Sequence, residues 1–308
     1  MKGLLVVGEG MVEFKYSDAG ELVQKFAGDT LNAGIYAKRW APSTEVNYYT
    51  ALGNDVFSGK MREYLALEQL GTQAVLATDS ANIGIYAIQT DDSGERSFTY
   101  WRKDSAATQM VDLLLAAGGA AQLPDADIIF FSGISLAILS DDNKTKLLEI
   151  LQQAQAKGSK IAFDPNYRPR MWRDQQHAIA WIEKAYQLAD IALPGLDEHQ
   201  DLFAQNSVEA VQQYMLAQGV SEFVIKAGKL GVYGFATEQS DCHVPFNPAP
   251  IQVDSTAAGD SFAGTYLMSR INGDSVNNAI INADKVAREV VQHPGAIMDI
   301  ALYKQALK

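Results

Sequence analysis

The segment 254–264, with the sequence DSTAAGDSFAG, has the residue types and spacing best suited to chemistry on an anion. Small residues at 257–259 let the backbone approach a ligand, and the segment continues into an apolar run that predicts a helix. The N–H groups at a helix N-terminus attract an anion such as a phosphate in transfer. Asp260 would lie in the first turn, where a carboxylate serves either as a helix cap or as a proton acceptor. The spacing alone leaves both roles open.

Apolar runs elsewhere in the chain predict the strands of a parallel sheet. Residues 4–8 (LLVVG) are typical of a strand buried on both faces. Amphipathic stretches between such runs predict helices, and glycines follow three of them at the position of a helix C-cap. The other apolar runs are 128–133, 161–164, 191–193 and 223–226, the helical stretches are 58–70, 142–157, 174–188 and 208–218, and the capping glycines are Gly71, Gly158 and Gly219. This alternation predicts an α/β fold with helices on both faces of the sheet.

Two segments alternate apolar and polar residues instead, and they predict hairpins that stand apart from the parallel sheet. The first covers residues 11–26 with a turn at 17–20, and the second covers residues 83–101 with a turn at 91–95. A small sheet made from them would have one face free to cover a ligand. The alternative is a pair of surface hairpins without that role.

Composition limits the class of protein. The chain has 308 residues, of which 47% are hydrophobic and 20% charged, and its net charge is −12. This length suits one large domain with an accessory element, and the negative charge argues against binding nucleic acid or an anionic membrane. A single cysteine and four widely separated histidines disfavour disulfides and a zinc site. Without a long apolar segment or a secretory signal, we expect a cytoplasmic protein.

Two signatures far apart in the chain resemble those of the PfkB (ribokinase-like) carbohydrate kinases. Residues 254–264 are similar to the family's DTxGAGD signature, and residues 27–32 (AGDTLN) are similar to its GGxxxN signature. Further similar stretches are 194–198 at the NxxE position, 226–232 at the nucleotide glycine loop, and Asn282 with Gly295 and Ala296. The resemblance spans essentially the whole chain. It implies one kinase domain over residues 1–308, a three-layer α/β/α sandwich with a mostly parallel central sheet, and a small β-sheet lid formed by segments 11–27 and 83–103.

Within that family, the chain is most similar to the 2-keto-3-deoxygluconate kinases. The similarity rests on Gly8-Glu9, residues 28–32, residues 100–102, and residues 164–169 with Trp172. It assigns substrate binding to Gly28, Asp29, Asn32, Gly34, Tyr86, Tyr100, Arg102, Asn166, Arg168 and Asp260.

The two arginines in this set suit a carboxylate, because a guanidinium offers it a bidentate fork of donors. A neutral hexose would not need them. Alternatively, Arg102 and Arg168 pair with nearby Asp or Glu side chains. Tyr86 and Tyr100 are either pocket wall or core, and for Tyr86 we favour the pocket.

The resemblance implies transfer of the ATP γ-phosphate to the 6-hydroxyl of 2-keto-3-deoxy-D-gluconate. Asp260 would accept the hydroxyl proton, and the backbone N–H groups of residues 257–260 would stabilise charge on the phosphoryl oxygens. Mg²⁺ would bridge the ATP phosphates and be held through water by Glu198. Some family members bind a monovalent cation, for which Asp254 and Thr256 have suitable oxygens. The residues assigned to the phosphoryl site are Ala257, Ala258, Gly259 and Asp260, and those assigned to ATP are Lys226, Gly228, Gly231, Ala258, Gly259 and Asn282.

Three departures from the family pattern bear on these assignments. Ala257 replaces a glycine, which is tolerable only if its φ is negative. Ala27 replaces the first glycine of GGxxxN. Gly195 stands where NxxE has Asn, which leaves Glu198 without its usual partner.

Two other functions fit the same residues. A kinase for a neutral sugar, similar to a fructokinase, would not need Arg168, and a non-catalytic sugar-acid binding protein would not need Asp260. The sequence does not distinguish the gluconate from the galactonate form of the keto acid. Self-association through the outer face of the lid would be favoured if Val12 or Phe26 were exposed there.

Overall fold

The computed structural model describes residues 3–17, 20–90 and 96–307. The predicted turn at 91–95 lies outside these residues, as do Asp18 and Ala19 of the other predicted turn. The strands are β1 (Leu4–Val7), β2 (Met11–Tyr16), β3 (Leu22–Ala27), β4 (Val46–Leu52), β5 (Val75–Ala77), β6 (Ile85–Thr90), β7 (Arg96–Trp101), β8 (Ile128–Ser132), β9 (Lys160–Asp164), β10 (Ile191–Ala192), β11 (Glu222–Lys226), β12 (Val232–Ala236) and β13 (Gln239–Val244). The α-helices are α1 (Asp29–Trp40), α2 (Val56–Leu67), α3 (Met110–Ala117), α4 (Gly133–Ala137), α5 (Asp141–Ala156), α6 (Gln175–Leu188), α7 (Leu196–Phe203), α8 (Val208–Ala217), α9 (Ala258–Ile271), α10 (Val276–Val290) and α11 (Ile300–Ala306).

The main sheet has the strand order β13-β12-β11-β10-β9-β8-β1-β4-β5 in the described part of the chain. The strands from β11 to β5 pair in parallel, and β12 and β13 add an antiparallel edge. Successive residues of a strand point to opposite faces. Accordingly, Leu5 and Val7 of β1 belong to the core that α3, α5, α6 and α8 cover, and Leu4 and Val6 to the core under α1, α2, α9 and α10. This confirms the predicted sheet with helices on both faces.

The predicted helix ends are confirmed at two glycines and wrong at the third. Gly158 and Gly219 follow α5 and α8 with φ of 103° and 84°, the left-handed conformation that glycine adopts easily. After α2, Gln69 takes that conformation instead, with φ 58°. Gly71 pairs with Asn47 of β4, and a Cβ on it would lie 1.9 Å from the Asn47 Oδ1 atom. The glycine at 71 therefore permits a close approach to the sheet.

The two predicted hairpins form a second, small sheet with the order β3-β2-β6-β7. Its two antiparallel pairs, β2 with β3 and β6 with β7, are joined by parallel pairing of β2 with β6. The condition set for self-association is not met at Val12, whose side chain is fully buried, and Phe26 is only half-buried. The small sheet also carries exposed large apolar side chains, namely Tyr16, Leu22, Val23, Phe98, Tyr100 and Trp101.

No helix in the described ranges combines the length and the apolar character needed to cross a membrane.

Candidate active site

The residues predicted to do chemistry meet beyond the carboxyl ends of the parallel strands, the usual ligand site in such sheets. Asp164 ends β9 and Lys226 ends β11. Asp29 begins α1, and Asp260 lies in the first turn of α9. Strand ends and the first turns of helices thus bring together residues that are more than 200 positions apart in the sequence.

Asp260 is held from a neighbouring helix. Its Oδ2 accepts a hydrogen bond of 2.8 Å from Nδ2 of Asn32 in α1. The two helices approach closely, since a Cβ on Gly264 would lie 2.0 Å from the backbone oxygen of Ala33. Ala257 precedes α9, and no side-chain hydrogen bond caps it. The structure therefore gives the Asp260 carboxyl a partner across the site and no capping role.

The environment of Asp260 favours its neutral form. Burial, followed by the negative charge of Asp29, raises the pKa of Asp260 to about 7. The hydrogen bond from Asn32 and the charge of Arg168 act in the opposite direction. A carboxyl whose pKa lies near neutral pH is well matched to accept a proton.

Ala257 does not meet the condition of a negative φ that the sequence analysis placed on it. Its φ is 62°, so the expected negative value is wrong. The left-handed conformation costs a non-glycine residue about 1–2 kcal/mol. Burial of the methyl group, about 0.8 kcal/mol, offsets part of this cost. The methyl group lies among Met11, Tyr86, Ile88 and Ala296.

Asp29 and Asn166 form a second polar pair near Asp260. The Asn166 Nδ2 donates to Asp29 Oδ2 at 3.0 Å, and the backbone N–H of Asn166 donates to Asp164 Oδ1 at 3.1 Å. Asn166 has φ 35°, a conformation that asparagine tolerates better than most residues. Gly28 precedes Asp29, and a Cβ there would lie 2.2 Å from the Glu9 backbone oxygen. The absence of a side chain at Gly28 therefore lets the chain pass close to the backbone of Glu9.

Lys226 lies between two carboxylates. Its Nζ is 2.7 Å from Asp164 Oδ2. Burial lowers the pKa of Lys226, but the charges of Asp164 and Glu198 outweigh it, and the net shift is upward. Burial raises the pKa of Glu198, and the charge of Lys226 opposes that shift.

Glu198 has partners despite the unusual glycine at 195. Its Oε1 accepts from the Tyr167 backbone N–H at 2.8 Å, and its Oε2 accepts from the Gly195 backbone N–H at 2.9 Å. Backbone donors therefore fix this side chain in place of the usual asparagine. No group of three or more His, Cys, Asp or Glu side chains suited to a metal ion occurs among residues 3–17, 20–90 and 96–307.

A cleft of about 720 Å³ lies beside these groups and carries four cationic side chains. Arg102 forms a buried ion pair with Glu9, so the alternative of a carboxylate partner holds for this arginine. Arg168 is exposed and donates to the Tyr167 backbone oxygen at 3.0 Å, with no acidic partner in the described residues. The cleft is lined by Phe98, Tyr100, Arg102, Lys103, Ile134, Ala137, Ile138, Arg168, Pro169, Arg170 and Met171. Lys103 and Arg170 were not predicted, because no motif marks them.

Tyr100 lines this cleft, and Tyr86 supports it. The two rings stack with centroids 5.8 Å apart, and Tyr100 is 52% exposed. Tyr86 is buried, does not line the cleft, and donates its hydroxyl to Glu13. Its ring stacks on Tyr100, and its role as pocket wall stays a prediction.

A groove of about 190 Å³ lies next to the start of α9. It is lined by Lys226, Gly228, Gly231, Ala258 and Gly259, as predicted, and by unpredicted residues such as Phe246, Asp284 and Ala287. Asn282 does not line it. Its Nδ2 donates to Asp274 at 3.0 Å and to Ser269 at 3.3 Å, because residues two apart in a helix face nearly opposite ways and Asp284 faces the groove.

Gly34 is the other glycine assigned to substrate binding. It lies in α1, but a Cβ on it would meet Val6 of β1 at 3.0 Å. The glycine at 34 thus brings α1 close to the main sheet, and its role in binding a substrate stays a prediction.

Comparisons with known proteins identify the family of the chain. Residues 1–301 match the pfkB family carbohydrate kinases. The chain is 36% identical over 303 residues to a 2-dehydro-3-deoxygluconokinase of Dickeya dadantii (strain 3937), covering 97% of both chains. It is 27% identical over 270 residues to a fructokinase of Salmonella typhimurium, covering 86% of this chain and 83% of that one. The crystal structure of a putative ribokinase II in complex with ATP and Mg²⁺ from E. coli superposes with a TM-score of 0.82 at 20% identity, covering 100% of this chain and 99% of that one. The chain thus belongs to the pfkB family of carbohydrate kinases.

Proposed function

We propose that the protein transfers the γ-phosphate of ATP to the 6-hydroxyl of 2-dehydro-3-deoxy-D-gluconate, which is 2-keto-3-deoxy-D-gluconate. The observation that carries this proposal is the buried Asp260, whose pKa is raised to about 7, at the start of α9. Arg168 of the cationic cleft lowers the pKa of Asp260 by its charge. The groove is lined by Gly259, the neighbour of Asp260 in the sequence. The 36% identity to a 2-dehydro-3-deoxygluconokinase over nearly the whole chain supports this substrate.

The charges set the orientation of the substrate. Its carboxylate binds Arg168 and Arg102 in the cleft, and its 6-hydroxyl lies against Asp260. The charge of Arg168 lowers the pKa of Asp260, which supports a single sugar acid bound between the two groups. Asp29, Asn32 and Asn166 bind the remaining hydroxyls of the sugar, with Gly28 beside them.

Asp260 accepts the proton of the 6-hydroxyl as its oxygen attacks the phosphorus in line with the leaving oxygen of ADP. Backbone N–H groups of Ala257, Gly259 and Asp260 stabilise the charge that develops on the transferred group, because the first turn of a helix leaves its N–H groups without helical partners. The N–H of Ala258 donates to the Ser255 backbone oxygen at 3.2 Å. Asn32 keeps the carboxyl aimed at the site. Tyr100 forms a wall of the sugar pocket.

ATP binds in the groove with Lys226, Gly228 and Gly231 at its edges. Mg²⁺ fits beside Glu198, because each of its oxygens accepts one backbone N–H and keeps a lone pair for a metal-bound water. The ion would neutralise charge on the ATP phosphates. A monovalent cation near Asp254 stays a prediction, and Asp254 Oδ1 and Oδ2 accept the backbone N–H groups of Thr256 and Gly295.

The small sheet acts as a lid made by segments 11–27 and 83–103 of a single kinase domain over residues 1–308. Its closure excludes water, which otherwise competes as a phosphoryl acceptor. Tyr100 in β7 and Arg102 just after it line the cleft, so this sheet forms part of the cleft wall. Exposed Tyr16, Leu22 and Trp101 make the sheet a candidate surface for self-association. A cytoplasmic location stays a prediction.

A coupled assay of ADP release tests the substrate. We expect the keto acid to be phosphorylated with the highest kcat/KM in a panel with fructose, gluconate, ribose and adenosine. The galactonate form of the keto acid is added to identify the preferred epimer. Turnover of fructose without turnover of the keto acid would support a kinase for neutral sugars instead. Binding of the keto acid without ADP release would indicate a non-catalytic binding protein.

The activity should depend on pH through Asp260. Only the ionised carboxylate accepts a proton, so kcat/KM for the sugar acid is expected to fall about tenfold per pH unit below the pKa. The raised pKa of Asp260 places that fall below about pH 7. The profile is measured at saturating ATP in buffers of constant ionic strength. A level profile down to about pH 5.5 would contradict a base with this pKa.

A further inference from the structure

Glu9 contacts every connection between the main sheet and the small sheet in the described part of the chain. It lies in the connection from β1 to β2. A Cβ on Gly28, which follows β3, would lie 2.2 Å from the Glu9 backbone oxygen, and one on Gly84, which precedes β6, would lie 2.5 Å from Glu9 Oε1. Arg102 and Ser105, which follow β7, both hydrogen-bond to the Glu9 side chain. The chain leaves and rejoins the main body around this one residue.

The Glu9 side chain is fully buried, and its charge is balanced by Arg102. Oε1 accepts from the Ser105 hydroxyl at 2.5 Å, and Oε2 accepts from Arg102 Nε at 2.7 Å and forms an ion pair with Nη2. A buried carboxylate without such partners would be costly, so this pair is held firmly. The Nη1 atom of Arg102 lies 3.8 Å from the sulfur of Met171, a residue that lines the cleft.

We propose that Glu9 is a positioning residue for the substrate carboxylate. It holds the Nε side of the Arg102 guanidinium and leaves Nη1 directed at the cleft. Glu9 also accepts a hydrogen bond from Ser105, three residues after Arg102. The segment that follows β7 is therefore held at both residues, and Arg102 keeps one orientation relative to the main body. This inference rests on the proposed function, because it concerns how Arg102 meets a sugar acid. Its effect is on the binding of the acid, and not on proton transfer by Asp260.

The variant Glu9→Gln tests this role. Glutamine keeps the shape and one acceptor of the side chain but removes the charge that orients Arg102. We expect KM for the keto acid to rise about tenfold, while kcat and KM for ATP stay within about twofold, because only binding that the substrate and transition state share is lost. Ser105→Ala removes only the hydroxyl and should give the same split at a smaller size, which keeps the test open if Glu9→Gln folds poorly.

Glu68→Gln is the matched control. Glu68 forms a comparable ion pair with Arg39, with N to O distances of 2.9 and 2.7 Å, and neither residue lines the cleft or the groove. We expect this variant to lose thermal stability without a change in KM for the keto acid. A role of Glu9 in general stability alone would make the two variants alike.

The double variant Glu9→Gln with Arg102→Ala completes the test. If Glu9 acts through Arg102, KM for the keto acid matches that of Arg102→Ala alone, whereas independent roles would multiply the two effects. An unchanged KM in Glu9→Gln, with a wild-type enzyme active on the keto acid, overturns the role of Glu9 only. A wild-type enzyme that is inactive on the keto acid overturns the proposed function first.

Discussion

Replacement of Asp260 by asparagine should lower kcat about a thousandfold, the middle of the range for loss of a general base. The amide keeps the size of the side chain and can still bond to Asn32, which now donates to Asp260 at 2.8 Å. It has no basic oxygen able to take the proton of the 6-hydroxyl. Because substrate contacts remain, KM for the keto acid and for ATP should change little. The measurement is a coupled assay of ADP release at saturating substrates.

The same variant also tests whether the loss is one of chemistry or of folding. The pKa of Asp260 is raised to about 7 in the folded protein, so this group favours folding at low pH. That contribution is full below the pKa of the unfolded chain and is lost as pH rises through about 7. Asp260→Asn should therefore be at least as stable as the wild type at pH 8, as measured by thermal denaturation. The keto acid should still raise its Tm. Undiminished turnover would contradict a base at this position.

The fold could be predicted from the sequence because the signal is local and repeated. Residues 4–8 form an apolar run, and the alternating segments 11–26 and 83–101 have the period of half-buried strands. The phosphoryl site could be predicted for a similar reason. Small residues, then Asp260, then an apolar helix are all found within a few positions, and the structure begins α9 at Ala258.

Positions that depend on distant packing could not be predicted. Arg102 pairs with Glu9, 93 positions away, and no local spacing distinguishes this pair from a free arginine. Gly34 and Asn282 match family positions, but the rotation of their helices turns the first to Val6 and the second to Asp274. A sequence pattern predicts that a segment is helical better than it predicts which face of that helix turns towards the sheet. The left-handed φ of Ala257 could not be predicted either, because the packing around its methyl group comes from the small sheet and from Ala296.

Replacement of Arg168 by alanine should raise KM for the keto acid about a hundredfold, since a charged hydrogen-bond partner of a carboxylate is lost. Arg102 is already engaged by Glu9, which makes Arg168 the stronger source of positive charge for the substrate. Arg168→Lys should recover part of the loss, because it keeps the charge without the fork. Arg173→Ala is the control, since Arg173 is exposed and pairs at the surface with Asp174.

Arg168→Ala should leave a second signature that distinguishes direct binding from damage to the site. Arg168 lowers the pKa of Asp260, so its removal should move the acidic limb of the pH profile upward. Arg173→Ala should leave that limb in place. A rise in KM without the pH shift would mean that Arg168 binds the acid but does not affect the pKa of Asp260. Arg168 would then lie farther along the cleft. If neither KM nor the pH profile changed, the acid would bind elsewhere, and a neutral sugar would become the better substrate for this pocket.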